Sequence, residues 1–318
     1  MEINNSELTL VKNYQKNFWF DRIFRLLSGA CAFSILIAFI SIIIFLIEGS
    51  LPSMYAFGWH FLISNAWNPV TQQFGALVPI AGTVITSLIA LIISIPISFG
   101  IALFLTEIAP LWIRHPVRIA IELLAGIPSI IYGMWGLFIF APWFATHVQP
   151  WLIEKLGNIP LIGILFQGAP MGIGLLTAGI ILGIMVLPFM ASVMSDVFEL
   201  VPNTLKESAY ALGATTWEVV WKVVLRYSRV GVMGGIMLGL GRALSETMAV
   251  AFVIGNAHDF TGSLMMPGNS ITSVLANEFT EAIGKIYLSA LIELGLILFV
   301  ISCIVLIFSK LMLRYLNK

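Results

Sequence analysis

Six stretches of this chain are apolar for longer than the roughly 20 residues a helix needs to cross a bilayer core, and nothing else in it limits the fold so tightly. They cover 26–47, 76–106, 119–143, 171–195, 230–255 and 286–308. In hydrocarbon a backbone must satisfy its own N–H and C=O groups, so each stretch is read as a membrane-spanning helix. Composition agrees: 59% of the 318 residues are apolar and 10% are charged, where a soluble domain is about a quarter charged. The expected fold class is all-α, a polytopic bundle of six transmembrane helices in a lipid bilayer, without a separate soluble domain. Pro96 is expected to kink the second span and Pro128 to break the third near its middle. The run 160–166 is too short to cross and belongs at the interface.

Six spans put both termini on one side. That side holds Lys12, Lys16, Arg22, Arg25, Arg114, Arg118, Lys206, Lys222, Arg226, Arg229, Lys310, Arg314 and Lys318, against Lys155 and Lys285 on the other. Under the positive-inside rule the termini and the 199–229 loop are cytoplasmic. Residues 1–25 then form a cytoplasmic N-terminal segment, 26–308 the six-span domain and 309–318 a basic tail. The first span is longer than the apolar core of a signal peptide and is read as uncleaved. Zero net charge argues against a nucleic-acid partner. Cys31 and Cys303 lie in separate apolar runs and are expected to be buried packing residues, not a disulfide.

The longest charged interruption is Val201 to Arg229. Thr204-x-x-Glu207 and Thr215-x-x-Glu218 each have the form of a capping box, and Gly213 between them is suited to a left-handed helix stop. Two short helices are expected, one with Leu205, Ala209 and Leu212 on a face, the other with Trp217, Trp221 and Val224. Glu218 and Lys222 form an i,i+4 pair in the favourable order. A helix–turn–helix hung between spans is a shape for docking. The chain has no phosphate-binding loop: its one Gly-Lys pair, Gly284-Lys285, precedes Ile286, where Ser or Thr is required. It has neither a His-Glu-x-x-His metal motif nor a Gly-x-Ser-x-Gly nucleophile elbow. No catalytic residue, metal or bound cofactor is expected, and any energy must come from another polypeptide.

The pattern Glu207-Ser208-Ala209, three residues, Gly213, nine residues, Val223-x-Leu225 resembles the EAA motif of binding-protein-dependent ABC importer permeases. Ser208 stands where Ala is usual and Arg226 where Pro is usual. Gly126-Ile127-Pro128-Ser129, Gly239 to Val250 and Met266 to Thr272 extend the likeness to the phosphate-transport permeases of that class. The resemblance implies a MetI-like, type I ABC importer permease in the bacterial inner membrane. It implies a heterodimer with a second related permease, two ATPase subunits carrying ATP and Mg, and an extracytoplasmic phosphate-binding protein. By the same resemblance Glu207, Ser208, Ala209, Gly213 and Trp217 form the ATPase-coupling surface. From the residues alone, Glu207 could equally be only a cap.

Arg242 lies thirteen positions beyond Arg229, about 20 Å along a helix, where an unpaired cation costs at least ~2.5 kcal/mol. It is either a partner for Glu246, one turn on, or a charge on the path of an anion, whose oxygens a planar guanidinium fork suits. Gly234, Gly235, Gly239 and Gly241 favour close helix approach there. Pro128 with Ser129 is either a plain kink or a gate on that path. Resemblance favours the path for Arg242 and Glu246. Glu293, alone in the sixth span, has no assigned role. The rivals are a permease for sulfate, molybdate or phosphonate, an ion-driven secondary transporter, and a membrane-embedded signalling partner.

Overall fold

The computed structural model describes residues 5–160, 162–259 and 261–316, with side chains from 19 to 315 apart from 161 and 260. Lys12, Lys16 and Lys318 of the basic set lie outside the described side chains. Six helices are long and apolar enough to cross a membrane: α1 (Asn5–Phe57), α2 (Leu77–Ile108), α4 (Ser129–Leu156), α5 (Leu175–Glu199), α7 (Thr216–Ser245) and α10 (Lys285–Leu316). Between them lie α3 (Leu111–Ala125), α6 (Asn203–Ala211), α8 (Met248–Val253) and α9 (Ile271–Glu278). The protein is all-α with six spans, as expected.

Three boundaries differ from the sequence expectation. The chain is helical through Phe57, so α1 runs on past 47, where the first apolar stretch ends. The third span is Ser129–Leu156, and Pro128 precedes its first turn instead of breaking its middle. The preceding helix α3 is separate, strongly amphipathic and closed at Gly126; its apolar stripe made the two read as one. The fifth span begins at Thr216, so the second docking helix and the membrane helix are one rod. A π-helical turn, Val220–Val224, lies within it.

Packing centres on α5, where Ile181, Leu182, Met185, Val186, Met190 and Met194 are buried. In lipid, helix association rests on close van der Waals approach and hydrogen bonds, and small residues supply the approach. A Cβ on Gly179 or Gly183 would meet Ile89 or Ala90 of α2, and one on Gly235 or Gly239 would meet Val193 or Met190 of α5. Gly231, which the sequence left unremarked, joins that face against Val197, whereas Gly234 and Gly241 point into open space. Ser98 Oγ of α2 adds a bond to Leu187 O at 3.0 Å. On the far side α1 packs along α10, with Phe39 and Phe299 ring centroids 5.8 Å apart. Cys31 is exposed on α1 and Cys303 is partly buried; both are free, so no disulfide forms, but Cys31 is not a packing residue. Glu293 is buried, 5% exposed, and faces inward from α10.

At the end of the bundle away from α6, four segments meet on one carboxylate. Glu278 accepts from Trp67 Nε1 (2.7 Å) and Tyr287 OH (2.6 Å), and its Oε1 lies 2.9 Å from His258 Nε2. The Trp67 and His258 rings stack at 5.3 Å. Burial pushes the Glu278 carboxyl up, but hydrogen bonds from His258, Tyr287 and Trp67 together outweigh it and hold the group below the ordinary carboxylate range. A depressed carboxyl contributes stability that is full above its unfolded pKa and is lost as pH falls through the folded value. Glu278→Gln is expected to cost on the order of 2 kcal/mol at pH 7. In detergent, its Tm deficit relative to wild type should hold above about pH 5 and shrink below about pH 4.

Candidate coupling hairpin and transport path

The hairpin is built from α6, a glycine turn and the first turns of α7. Its first expected cap is absent: α6 begins directly after Pro202 with no side-chain cap. Thr204 is already inside the helix, where its carbonyl accepts from Ser208 Oγ (2.6 Å). Proline pre-sets the backbone for a helix start, which removes the need for Thr204 and leaves Glu207 exposed. The second cap is present. Glu218 N donates to Thr215 Oγ1 (3.4 Å) and Thr215 N to Glu218 Oε2 (3.1 Å), and Lys222 Nζ reaches Glu218 Oε1 at 2.9 Å. Between the two helices Gly213 has φ +86°, a left-handed stop that L side chains resist.

One side of this hairpin is anchored and the other is bare. Val219 and Val224 are fully buried, Ala209 packs against the central core, and Trp221 approaches Phe99 of α2 at 6.2 Å. Leu212 is 90% exposed and Trp217 69% exposed, with Leu205 and Tyr210 beside them. Ser208 is exposed too. So the expected faces are mixed: Ala209 turns inward while Leu205 and Leu212 face out. Lys206 also turns inward, to Glu107 at the end of α2 (2.5 Å), a contact that sequence spacing of 99 residues could not reveal.

The path residues are arranged differently from the expectation. Arg242 and Glu246 do not pair. α7 ends at Ser245 and Glu246 is extended (ψ 128°), so Glu246 is not one helical turn on. Its Oε1 instead accepts from Ala249 N (3.4 Å) at the start of α8, and its carbonyl accepts from Thr272 Oγ1 (2.8 Å). Arg242 lies over the Phe189 ring at 5.4 Å, a cation–π contact, and its Nε–H is buried without a partner. The break at Glu246 lies next to the start of α4. Gly133, one turn past Ser129, abuts Met248 and Ala249 of α8, and Tyr132 OH donates to Leu124 O of α3 (2.9 Å). The structure thus brings the first turns of α4, through Gly133, against the residues that follow the break at Glu246. A guanidinium with an unsatisfied donor, beside two helix ends, is suited to an anion that has lost part of its water.

Residues 98–318 match the model of the family described as binding-protein-dependent transport system inner membrane component. The chain belongs to that family. Curated relatives match along most of their length. A "Phosphate transport system permease protein PstC" of Haemophilus influenzae is 54% identical over 98% of both chains. One of Pasteurella multocida is 62% identical over 86% of this chain and 85% of its own. A "probable" one of Methanocaldococcus jannaschii is 38% identical over 89% of this chain and 90% of its own. Among solved structures, a bacterial alginate ABC transporter matches with TM-score 0.62 at 18% identity, over 94% of this chain and 98% of that one. The inward-facing MetNI methionine transporter matches at TM-score 0.51 and 16% identity, over 79% and 97%. These establish the MetI-like importer-permease fold. The permease is a multi-pass protein of the inner membrane, the transport component of its complex and not itself an enzyme.

Proposed function

We propose that this permease forms the membrane path of an ATP-driven phosphate importer and is worked from the cytoplasm by a separate ATPase. The observation that carries the reading is the hairpin: apolar Leu212 and Trp217 are bare on a helix–turn–helix whose other side is built into the bundle. Such a surface is suited to a protein cleft. Phosphate as cargo follows from the relatives' names at 54% identity across 98% of both chains. The partners on this reading are a second related permease, two ATPase subunits that bind ATP and Mg, and an extracytoplasmic phosphate-binding protein. The basic residues near the span ends support a cytoplasmic position for the termini and hairpin.

The mechanism follows from α7 being continuous. Closure of the ATPase pair moves the hairpin around Glu207 and Gly213; Trp217 belongs to the same helix as Arg242. Thirty residues at 1.5 Å each make a rod of about 45 Å, so displacement at the docked end reaches the path directly. The spans then swing between inward- and outward-open states. Arg242 meets the phosphate oxygens through its free N–H, with Glu246, Pro128 and Ser129 at the adjoining helix breaks. No bond is made or broken by this chain.

In vesicles holding the complex, uptake of labelled phosphate is expected to stop when ATP is removed and to resist excess sulfate; equal competition by sulfate rejects the cargo. Glu207 caps nothing, so Glu207→Ala should cost the fold within ~0.5 kcal/mol. A severalfold loss of co-purifying ATPase would therefore report docking, and full retention would remove Glu207 from the contact. Arg242→Lys keeps the charge but loses the fork, and a lost charge-assisted bond corresponds to roughly tenfold or more in uptake. Wild-type uptake by that variant would reduce the requirement to charge alone.

A further inference from the structure

We infer that the largely shielded Glu107–Lys206 ion pair is the strut that makes α2 follow the docking helix; the inference rests on the docking reading above. α6 is joined by chain only to α5, through Leu200, Val201 and Pro202, and to α7 through the Gly213 turn. Nothing covalent ties it to α2. Yet Lys206, alone among the charged residues of α6, turns away from the bare face and puts Nζ on Glu107 Oε1. The side chains are 13% and 6% exposed. Glu107 sits in the π-helical last turn of α2, Phe104–Ile108. That turn is gripped a second time, since Arg114 Nη2 of α3 donates to Thr106 O at 2.7 Å.

A second set of charges lies nearby and provides the contrast. Arg118 of α3 bridges Asp196 (2.7 Å) and Glu199 (2.8 Å) at the end of α5, but these groups are 33–63% exposed. Water screens them, and such pairs hold weakly. Opposite charges shielded from water attract far more strongly and cannot be parted without leaving each one desolvated. Of the contacts between the cytoplasm-facing segments, the Glu107–Lys206 pair is the one that stays closed under load. α2 is packed closely on α5 through Gly179 and Gly183. A hairpin displacement therefore enters the bundle by two routes: through α7 by the chain itself, and through α2 by this pair. Glu107 and Lys206 are positioning residues, touching neither the cargo nor the docked surface.

The test uses the intact complex purified through this chain and reconstituted in proteoliposomes, with phosphate moved per ATP hydrolysed as the readout. Glu107→Gln and Lys206→Gln are expected to retain the ATPase and its turnover while phosphate per ATP falls tenfold or more. The reversed pair, Glu107→Lys with Lys206→Glu, should recover to within threefold of wild type. Because a single variant can fail to accumulate, Glu107→Cys with Lys206→Cys, in a background with Cys31 and Cys303 replaced by Ala, is bridged with a short bis-maleimide. A strut tolerates the bridge and uptake persists. Wild-type coupling in the single variants, a reversed pair no better than they are, or uptake abolished by the bridge overturns the strut while docking stands. An unmodified chain that retains no ATPase overturns both.

Discussion

A backbone inside hydrocarbon has no water to bond to, so every interruption of a helix there must be satisfied by the protein. That requirement organises this molecule. At the end of α7 the chain leaves helical geometry at Glu246, and the carbonyl exposed there is met by Thr272, while the Glu246 carboxylate meets the Ala249 N–H in the first turn of α8. Ahead of α4, Tyr132 reaches back to the Leu124 carbonyl. Between α2 and α9, the Ile271 N–H donates to Thr83 Oγ1 at 2.9 Å. Among the buried side-chain atoms left without a partner is the Nε of Arg242, at the place where the proposed cargo passes.

The two ends of the bundle are built on opposite terms. At one, Glu278 draws Trp67, His258 and Tyr287 together from separate segments, and aromatic stacking closes the cluster. Such a network resists rearrangement because any member removed strands the others. At the other end the hairpin keeps its apolar side bare, which in an isolated chain costs free energy and, on the proposed docking, becomes interface. Only its inner side is secured, and there the strongest contact is electrostatic. At 13% and 6% exposure the Glu107–Lys206 pair is less screened by water than the Arg118 bridges at 33–63%, which ranks it above them.

Where expectation and structure part, the competing physics can be named. The Thr204 capping box has the right spacing, but Pro202 starts the helix two residues too early for Thr204 to cap it. The third span starts later than expected because α3 is a separate amphipathic helix, and an apolar stripe on an interfacial helix reads like the beginning of a crossing one. The Arg242–Glu246 pair, one of the two readings of that arginine, needs an unbroken helix; Glu246 bonds elsewhere because the helix stops before it. The Thr215–Glu218 box, the left-handed Gly213 and the Glu218–Lys222 pair are all formed. Those three are local, decided within four or five residues.

Length of apolar run, placement of basic residues and short-range turn chemistry were thus enough to establish from sequence a six-span helical membrane protein with a bent hairpin between its fourth and fifth spans. Each of these depends on the chain and its solvent, water or lipid, and needs no knowledge of which helices are neighbours. Tertiary structure alone decided that Lys206 meets Glu107, that Glu278 gathers three distant side chains, that Gly231 faces α5 while Gly234 does not, and that Arg242 is left with a free donor. These are contacts across 9 to 211 residues of chain or choices between faces of a helix, and in a bilayer, where every face is apolar, periodicity carries no mark of which one is turned inward.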